Sequence, residues 1–260
     1  MHPRLRARIP FGLRVGLRRL PATLRWLAQP RPVRGRLVDH PHVQAERRSP
    51  LRRQGTEYEP SVQAAKEHNV RRAAQLLDGL LIPAGGRVSW HAVIGPPVRA
   101  RGFVPGPELH EDALAMGGGG GLCQVANLLA WLAVHSGLDL VERHRHGLDL
   151  FPDSQRTVPF GLGATVFFPH RDLVLRNPFD QPVLLSLSVV DGWLEGQLRF
   201  VQDPGLSFTV VETHHAFRRR PDGVWRENRL SRRSARGTEF LWENRARCAY
   251  PVPAEDLGDP

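Results

Sequence analysis

The stretch GGGGGLCQVANLLAWLAVHSG, residues 117–137, carries the most informative pattern in the chain. Five glycines precede a segment in which apolar residues recur every three or four positions, which is the spacing of one face of a helix. These apolar positions are Leu122, Val125, Leu128, Leu129, Leu132 and Ala133. Gly137 is a natural end, because glycine readily adopts the left-handed conformation that closes many helices. The pattern predicts a helix from Leu122 to Ser136, with a glycine loop in front of it.

A second helix is predicted upstream of this stretch, and strands are predicted downstream. Ser61 can cap a helix whose apolar stripe continues to Leu81 and ends before Pro83. Runs rich in β-branched and aromatic residues predict strands at 164–168, 172–176, 182–190, 193–201, 208–213 and 237–242. Asp191-Gly192 lies between two of these runs and predicts a tight hairpin. The fold class is therefore α+β, with two main helices packed on a mostly antiparallel β-sheet.

The chain divides into three parts by composition. Residues 1–60 are predicted to be a basic tail and linker, residues 61–217 the main domain, and residues 218–260 a C-terminal extension packed on that domain. Residues 1–53 contain fourteen arginines and only two acidic residues, and the formal net charge of the whole chain is +10. The basic character of the chain therefore belongs to the tail. Aromatic residues are not interleaved with these arginines as they are in single-strand binders. We expect no nucleic-acid partner.

Residues 11–27 place leucines at spacings of three and four, with arginines between them. If helical, this segment has a basic amphipathic surface suited to contact with a membrane; the alternative is an arginine-rich leader in which Pro21 limits any helix. The same arginines interrupt every apolar run before it reaches the length of a signal-peptide core. From the sequence we expect a protein that does not span the membrane and that is cytoplasmic or peripheral to the membrane.

Cys123 is the residue with the clearest chemical potential. It follows the glycine run and falls in the first turn of the predicted helix, where unpaired backbone N–H groups and the helix dipole favour the thiolate. The same N–H groups could stabilise an oxyanion formed when the thiolate attacks a carbonyl. His144 and His146 follow the helix, and either is a candidate base. This arrangement suits acyl transfer.

Three other interpretations of this region stay open on the residues alone. The glycine loop before a helix is suited to phosphate, but no P-loop or dinucleotide fingerprint is present. Cys123 with His135, His144 and His146 would make an acceptable zinc ligand set, although no second cysteine lies at a short spacing. Cys123 could also be a small buried residue. With only two cysteines, a disulfide scaffold is excluded, and we expect neither a metal nor a cofactor.

A resemblance to a known family narrows these choices. Its motifs are Gly119-Gly-Gly-Leu-Cys-Gln124, Asn127-Leu-Leu, Glu142-Arg143-x-x-His146, Ala164-Thr-Val and Asp172-Leu-x-x-x-Asn177, with an upstream segment that includes Val88-Ser-Trp90. Together they resemble the VanW family over about residues 61–200. Members of this family are linked to the cell envelope, and membrane-anchored members are thought to use the cysteine for L,D-transpeptidation of peptidoglycan.

The resemblance implies a role for individual residues. Cys123 would be the nucleophile and His146 the general base. The substrate-binding set would be Gly119, Gly120, Gly121, Gln124, Asn127 and Arg143. The implied partner is peptidoglycan or its peptide precursors, and the implied activity is a cysteine-dependent acyl transfer. The alternative is a non-catalytic protein of the envelope that binds a peptide or a sugar.

Two positions depart from the family pattern. Gly163 stands where an aspartate usually precedes Ala-Thr-Val, and Ala126-Asn127 stands where Ser-Thr or Ser-Asn usually follows Cys-Gln-x. If the missing carboxylate normally orients the histidine, its loss should cost orders of magnitude in rate. Asp149, Asp153 or Asp172 are the candidates to replace it.

Overall fold

The computed structural model of the protein describes residues 31–52, 60–110, 113–145, 147–149, 152 and 158–257. The proposed membrane-contact segment, residues 11–27, lies outside these ranges. The helices within the described residues are α1 (Pro60–Leu77), α2 (Trp90–Ile94) and α3 (Leu122–His135). The strands are β1 (Val33–Arg34), β2 (His42–Pro50), β3 (Leu80–Ile82), β4 (Arg87–Ser89), β5 (Gly106–His110), β6 (Ala113–Gly117), β7 (Asp139–Glu142), β8 (Leu148–Asp149), β9 (Val174–Arg176), β10 (Val183–Val190), β11 (Trp193–Phe200), β12 (Thr209–Arg220), β13 (Gly223–Ser234) and β14 (Gly237–Cys248).

The main sheet has five strands in the order β1-β3-β10-β11-β2, and every neighbouring pair is antiparallel. Val190 lies opposite Trp193, so Asp191 and Gly192 form a two-residue turn in which both have positive φ, at 49° and 78°. The hairpin predicted from Asp-Gly is therefore confirmed. Helices α1 and α3 pack on this sheet and against each other. The predicted class, two main helices on a mostly antiparallel sheet, is confirmed.

The edge strand β2 lies in the part of the chain predicted to be a linker. It pairs along its length with β11, from His42 opposite Phe200 to Pro50 opposite Trp193. The prediction that folded structure begins near residue 61 is therefore wrong for this strand. Only Ala45 is buried within it, because an edge strand needs few apolar residues when its backbone pairs with a neighbour.

A second sheet forms from the C-terminal part of the chain, in the order β12-β13-β14-β8. Its first three strands have twelve residues each. The boundary predicted at residue 217 falls inside β12, so the sheet crosses it. Residues 218–236, which are rich in arginine and separate the predicted strands 208–213 and 237–242, contain the end of β12 and the whole of β13. Residues 164–168 do not form the predicted strand; only an isolated bridge pairs Phe167 with Arg171.

The core lies between α1, α3 and the main sheet. Helix α3 is its centre, since nine of its fourteen residues are buried, among them Val125, Leu129 and Leu132. Burying one such side chain contributes about 1.5–3 kcal/mol. Within the described residues, none of the helices has the combination of length and apolar character that crossing a bilayer requires. The first turn of α3 is therefore held in place by the packing of the rest of this helix in the core.

Candidate functional site

Cys123 is the second residue of α3, and its side chain is partly exposed. Gly121 precedes the helix with φ of 91°, a left-handed conformation that glycine adopts without strain. The Cys123 sulfur lies 3.8 Å from the carbonyl oxygen of Val166, in the segment that passes beside the helix. Cys123 and Cys248 are not joined by a disulfide. The thiol therefore sits between the start of a helix and a neighbouring backbone segment.

The glycines before Cys123 are packed closely against other parts of the chain. A Cβ atom at Gly118 would lie 2.0 Å from the carbonyl oxygen of Pro97, and one at Gly121 would lie 2.9 Å from Lys66 on α1. The Gly120 carbonyl accepts a hydrogen bond from Asn69 Nδ2 at 2.9 Å. These contacts account for Gly118 and Gly121 as close-packing positions, and they hold the loop in place. Gly119 and Gly120 lie in the turn between β6 and α3.

Gln124 connects the start of α3 to the edge strand of the main sheet. Its Nε2 donates to Ser49 Oγ at 2.9 Å and to the carbonyl oxygen of Pro50 at 2.7 Å. Its Oε1 is buried and has no hydrogen-bond partner among the described residues. The amide therefore fixes β2 against the helix that carries Cys123. That role needs no substrate.

Asn127 connects α3 to the segment beside it. Its Oδ1 accepts a hydrogen bond from the backbone N–H of Ala164 at 2.8 Å. A Cβ atom on Gly163 would lie only 2.2 Å from this same oxygen. The Asn127 side chain thus occupies the space that a side chain at position 163 would need, so the departure at Gly163 is matched to the position of the Asn127 side chain.

Arg143 joins three parts of the molecule. Its Nε donates to the carbonyl oxygen of Gly163 at 2.9 Å, and its Nη2 donates to the carbonyl oxygen of Gly161 and to Asn244 Oδ1. Its guanidinium carbon lies 4.2 Å from the centre of the Trp242 ring. Burial, and secondarily the charge of Arg145, lowers the pKa of Arg143 to about 9, so it stays charged at neutral pH. Arg143 therefore fixes the segment beside Cys123 to the second sheet.

His146, the expected base, lies outside the described residues. His144 does lie within them, and its Nε2 is 2.8 Å from Glu142 Oε1. The Nδ1 of His135 is 2.8 Å from the carbonyl oxygen of Trp131, one turn earlier in α3. Within the described part of the chain, no three histidine, cysteine, aspartate or glutamate side chains converge as a metal-binding group.

A buried pair that the sequence did not predict, His91 and Asp172, lies beside Phe168. Asp172 accepts hydrogen bonds from Ser89 Oγ, from His91 N at 2.9 Å and from Leu173 N at 2.8 Å. The His91 Nδ1 lies 3.7 Å from Asp172 Oδ1, and its Nε2 is buried and has no hydrogen-bond partner among the described residues. The His91 ring meets the Phe168 ring edge-on, with centroids 5.2 Å apart. Asp172 was a candidate carboxylate in the sequence, but nothing pointed to His91, which is 81 residues away.

Stability should depend on pH through His91 and His135. Burial lowers the pKa of both, so each is lower in the folded state than the ordinary value of about 6.5 in the unfolded state. On acidification the unfolded chain therefore binds more protons than the folded protein does. The contribution of these histidines to the free energy of unfolding is complete above about pH 6.5, and it decreases as the pH falls toward their pKa values in the folded state. Urea unfolding at about pH 8 and about pH 5.5 measures this loss.

The variant His91→Gln should reduce this pH dependence, and the exposed His214→Gln should leave it unchanged. An unfolding free energy that stays constant between the two pH values would contradict the expectation, as would an equal slope in His91→Gln and the wild type.

Comparisons with known proteins agree with the family motifs. The family model described as VanW like protein matches residues 65–199. The chain is 26% identical over 220 residues to the vancomycin B-type resistance protein VanW of Enterococcus faecalis, which covers 82% of this chain and 80% of that protein. It is 29% identical over 131 residues to the uncharacterized protein YoaR of Bacillus subtilis, covering 49% of this chain and 41% of that protein. No solved structure matches the chain significantly. Because the family model spans more than half of its length, the chain belongs to the VanW family.

Proposed function

We propose that this protein acts at the cell envelope in resistance to vancomycin-type antibiotics. The proposal comes from its similarity to the vancomycin B-type resistance protein VanW, of which it covers 80%. The similarity extends well beyond the family motifs on both sides of Cys123. The partner that follows from this role is peptidoglycan or its peptide precursors.

The finer proposal is that Cys123 transfers an acyl group between cell-wall peptides, as an L,D-transpeptidase does. The Cys123 sulfur would bond to a peptide carbonyl carbon while the bond to the leaving amine breaks, and the thiol proton would pass through His146 to that amine. The amine of a second peptide would then attack the thioester and release the sulfur. The observation that carries this proposal is the position of Cys123, partly exposed in the first turn of α3, where the helix dipole favours negative charge.

The test is to incubate the full chain with a muropeptide donor and measure its intact mass. The expected result is an acyl adduct on the wild type that disappears in Cys123→Ala and persists in Cys248→Ala, which removes the other half-buried thiol. With an amine acceptor present, the adduct should turn over into cross-linked product. An adduct that survives Cys123→Ala, or a wild type that forms none, would sink the catalytic proposal.

A non-catalytic binding role is the second candidate, and one observation favours it. Gly163 stands where the family usually has an aspartate, so the carboxylate that could orient the general base is absent at that position. Alkylation by iodoacetamide at mildly acidic pH separates the two roles, because a catalytic thiolate reacts there and a structural thiol does not. If Cys123 does not react while muropeptides still bind to the folded protein, the binding role is correct.

A further inference from the structure

A cleft lies between the C-terminal end of α3 and the β13–β14 hairpin, and we call it the interlobe cleft. Its volume is about 320 Å³, at the lower end of the range for small-molecule sites. Asp139, Arg176, Arg232 and Glu239 line this cleft and also a neighbouring cavity of about 380 Å³. These four charged residues form the wall between the two cavities.

Two of the cleft's arginines are engaged with its two carboxylates. Arg232 is buried, and its Nη2 donates to Glu239 Oε2 at 2.7 Å and to Asp139 Oδ1 at 3.4 Å, while its Nη1 donates to the carbonyl oxygen of Leu138. A cation at this place also complements the dipole at the end of α3. Arg176 donates from Nε and Nη2 to Asp139 Oδ2, at 2.8 and 2.6 Å. The carboxylates are therefore neutralised from within the wall.

Positive charge remains on the cleft after this pairing. Arg236, in the turn between β13 and β14, lines the cleft, and its backbone N–H donates to Ser234 Oγ at 3.2 Å. Within the described residues its guanidinium makes no hydrogen bond or ion pair, and neither does Nη1 of Arg176. Three arginines thus face two carboxylates, which leaves one unit of positive charge and two sets of N–H donors directed to no protein group.

The other side of the cleft is apolar and aromatic. Phe179, Leu206 and Phe208 line it. Gly137, at the end of α3, allows the Phe208 ring to pack directly on the backbone, since a Cβ atom there would lie 2.5 Å from the ring. The Arg232 guanidinium lies 5.2 Å from the centre of the same ring. A ligand in the cleft would therefore meet an aromatic surface on one side and cationic donors on the other.

We propose that the interlobe cleft binds a small molecule that carries one carboxylate beside an apolar group, such as an acylated amino acid or the C-terminal end of a peptide. Arg236 and Arg176 Nη1 receive the carboxylate, which matches the single excess positive charge, and Phe208 and Phe179 contact the apolar group. Arginine suits this task, since its planar fork matches a carboxylate. The fourteen residues of α3 separate the cleft from Cys123 by about 20 Å, so the site is distinct from the proposed acyl transfer.

The test is to titrate the full chain with N-acetyl-L-phenylalanine and to detect binding by saturation-transfer NMR. N-acetyl-L-phenylalaninamide, which lacks the carboxylate charge, and inorganic phosphate serve as comparison probes. The acid should bind saturably, and the amide and phosphate each at least about tenfold more weakly. Arg236→Gln and Arg176→Gln should each weaken binding of the acid by about tenfold. Arg233→Gln, an exposed arginine of β13 outside the cleft, should leave it unchanged.

Several outcomes would overturn the proposal. These are absence of saturable binding of the acid up to about 10 mM, equal binding of the amide, tighter binding of phosphate, or wild-type affinity in both Arg236→Gln and Arg176→Gln. Melting curves of each variant show whether it is folded, and Arg236→Gln removes a guanidinium that makes no hydrogen bond or ion pair among the described residues. A cleft that does not bind the acid would leave the acylation of Cys123 unaffected, so the binding experiment and the mass measurement test the two proposals separately.

Discussion

Replacing Arg143 with methionine should lower the free energy of unfolding by about 2–4 kcal/mol. Methionine retains much of the aliphatic packing but donates no hydrogen bond. The carbonyl oxygen of Gly163 and Oδ1 of Asn244 lose a donor, and the contact with the Trp242 ring is lost as well. The Gly161 carbonyl loses less, because Trp242 Nε1 also donates to it, at 3.2 Å. Urea unfolding of the purified protein measures the change.

The matched control for Arg143→Met is Arg99→Met. Arg99 is exposed, so its replacement should change the free energy of unfolding by no more than about 0.5 kcal/mol. If Arg143→Met costs less than about 1 kcal/mol, the guanidinium does not hold the segment beside Cys123 to the second sheet.

Gly161→Ala should be of similar or larger effect, at about 3–5 kcal/mol. Gly161 has φ of 77°, which costs alanine energy, and an added Cβ would lie 2.1 Å from Asn244 Cγ. Asn244 is buried and donates from Nδ2 to Asn228 Oδ1 at 2.7 Å, so it cannot move without breaking that bond. Thermal unfolding should show a melting temperature lower by about 10 °C.

Gly147→Ala is the corresponding control. Among the described residues, no atom lies within 4 Å of the position that a Cβ would take at Gly147, and its φ is outside the left-handed range. This substitution should leave the melting temperature within about 2 °C of the wild type. Similar melting temperatures for the two variants would show that the Gly161 backbone can relax away from Asn244.

The sequence predicts the elements whose signals are local. The α3 helix follows from its apolar spacing, and the β10–β11 hairpin from the two residues that must have positive φ. Strand β2 was missed because its stability comes from backbone pairing with β11, 143 or more residues later in the chain, rather than from its own side chains. Residues 164–168 are rich in strand-forming residues, but their partners are the side chain of Asn127 and the backbone of His144.

The site shows the same division between local and long-range information. Cys123 is placed at a helix start as its neighbours predict. The roles of Gln124, Asn127 and Arg143 depend on partners 18 to 101 residues away, so their contacts could not be predicted from spacing. The interlobe cleft is less predictable still, since it forms between the main domain and a sheet whose middle strand, β13, reads in the sequence as an arginine-rich connection.

The contact between Asn127 and Gly163 makes these two positions an epistatic pair. With the Asn127 side chain hydrogen-bonded to Ala164, a side chain at position 163 has no room, because its Cβ would lie 2.2 Å from Asn127 Oδ1. Restoring an aspartate at position 163 alone would therefore test a displaced Asn127 together with a new carboxylate, and the two effects would be confounded. The residue at position 163 and the conformation of Asn127 are therefore coupled, and a variant at either position changes the space available to the other.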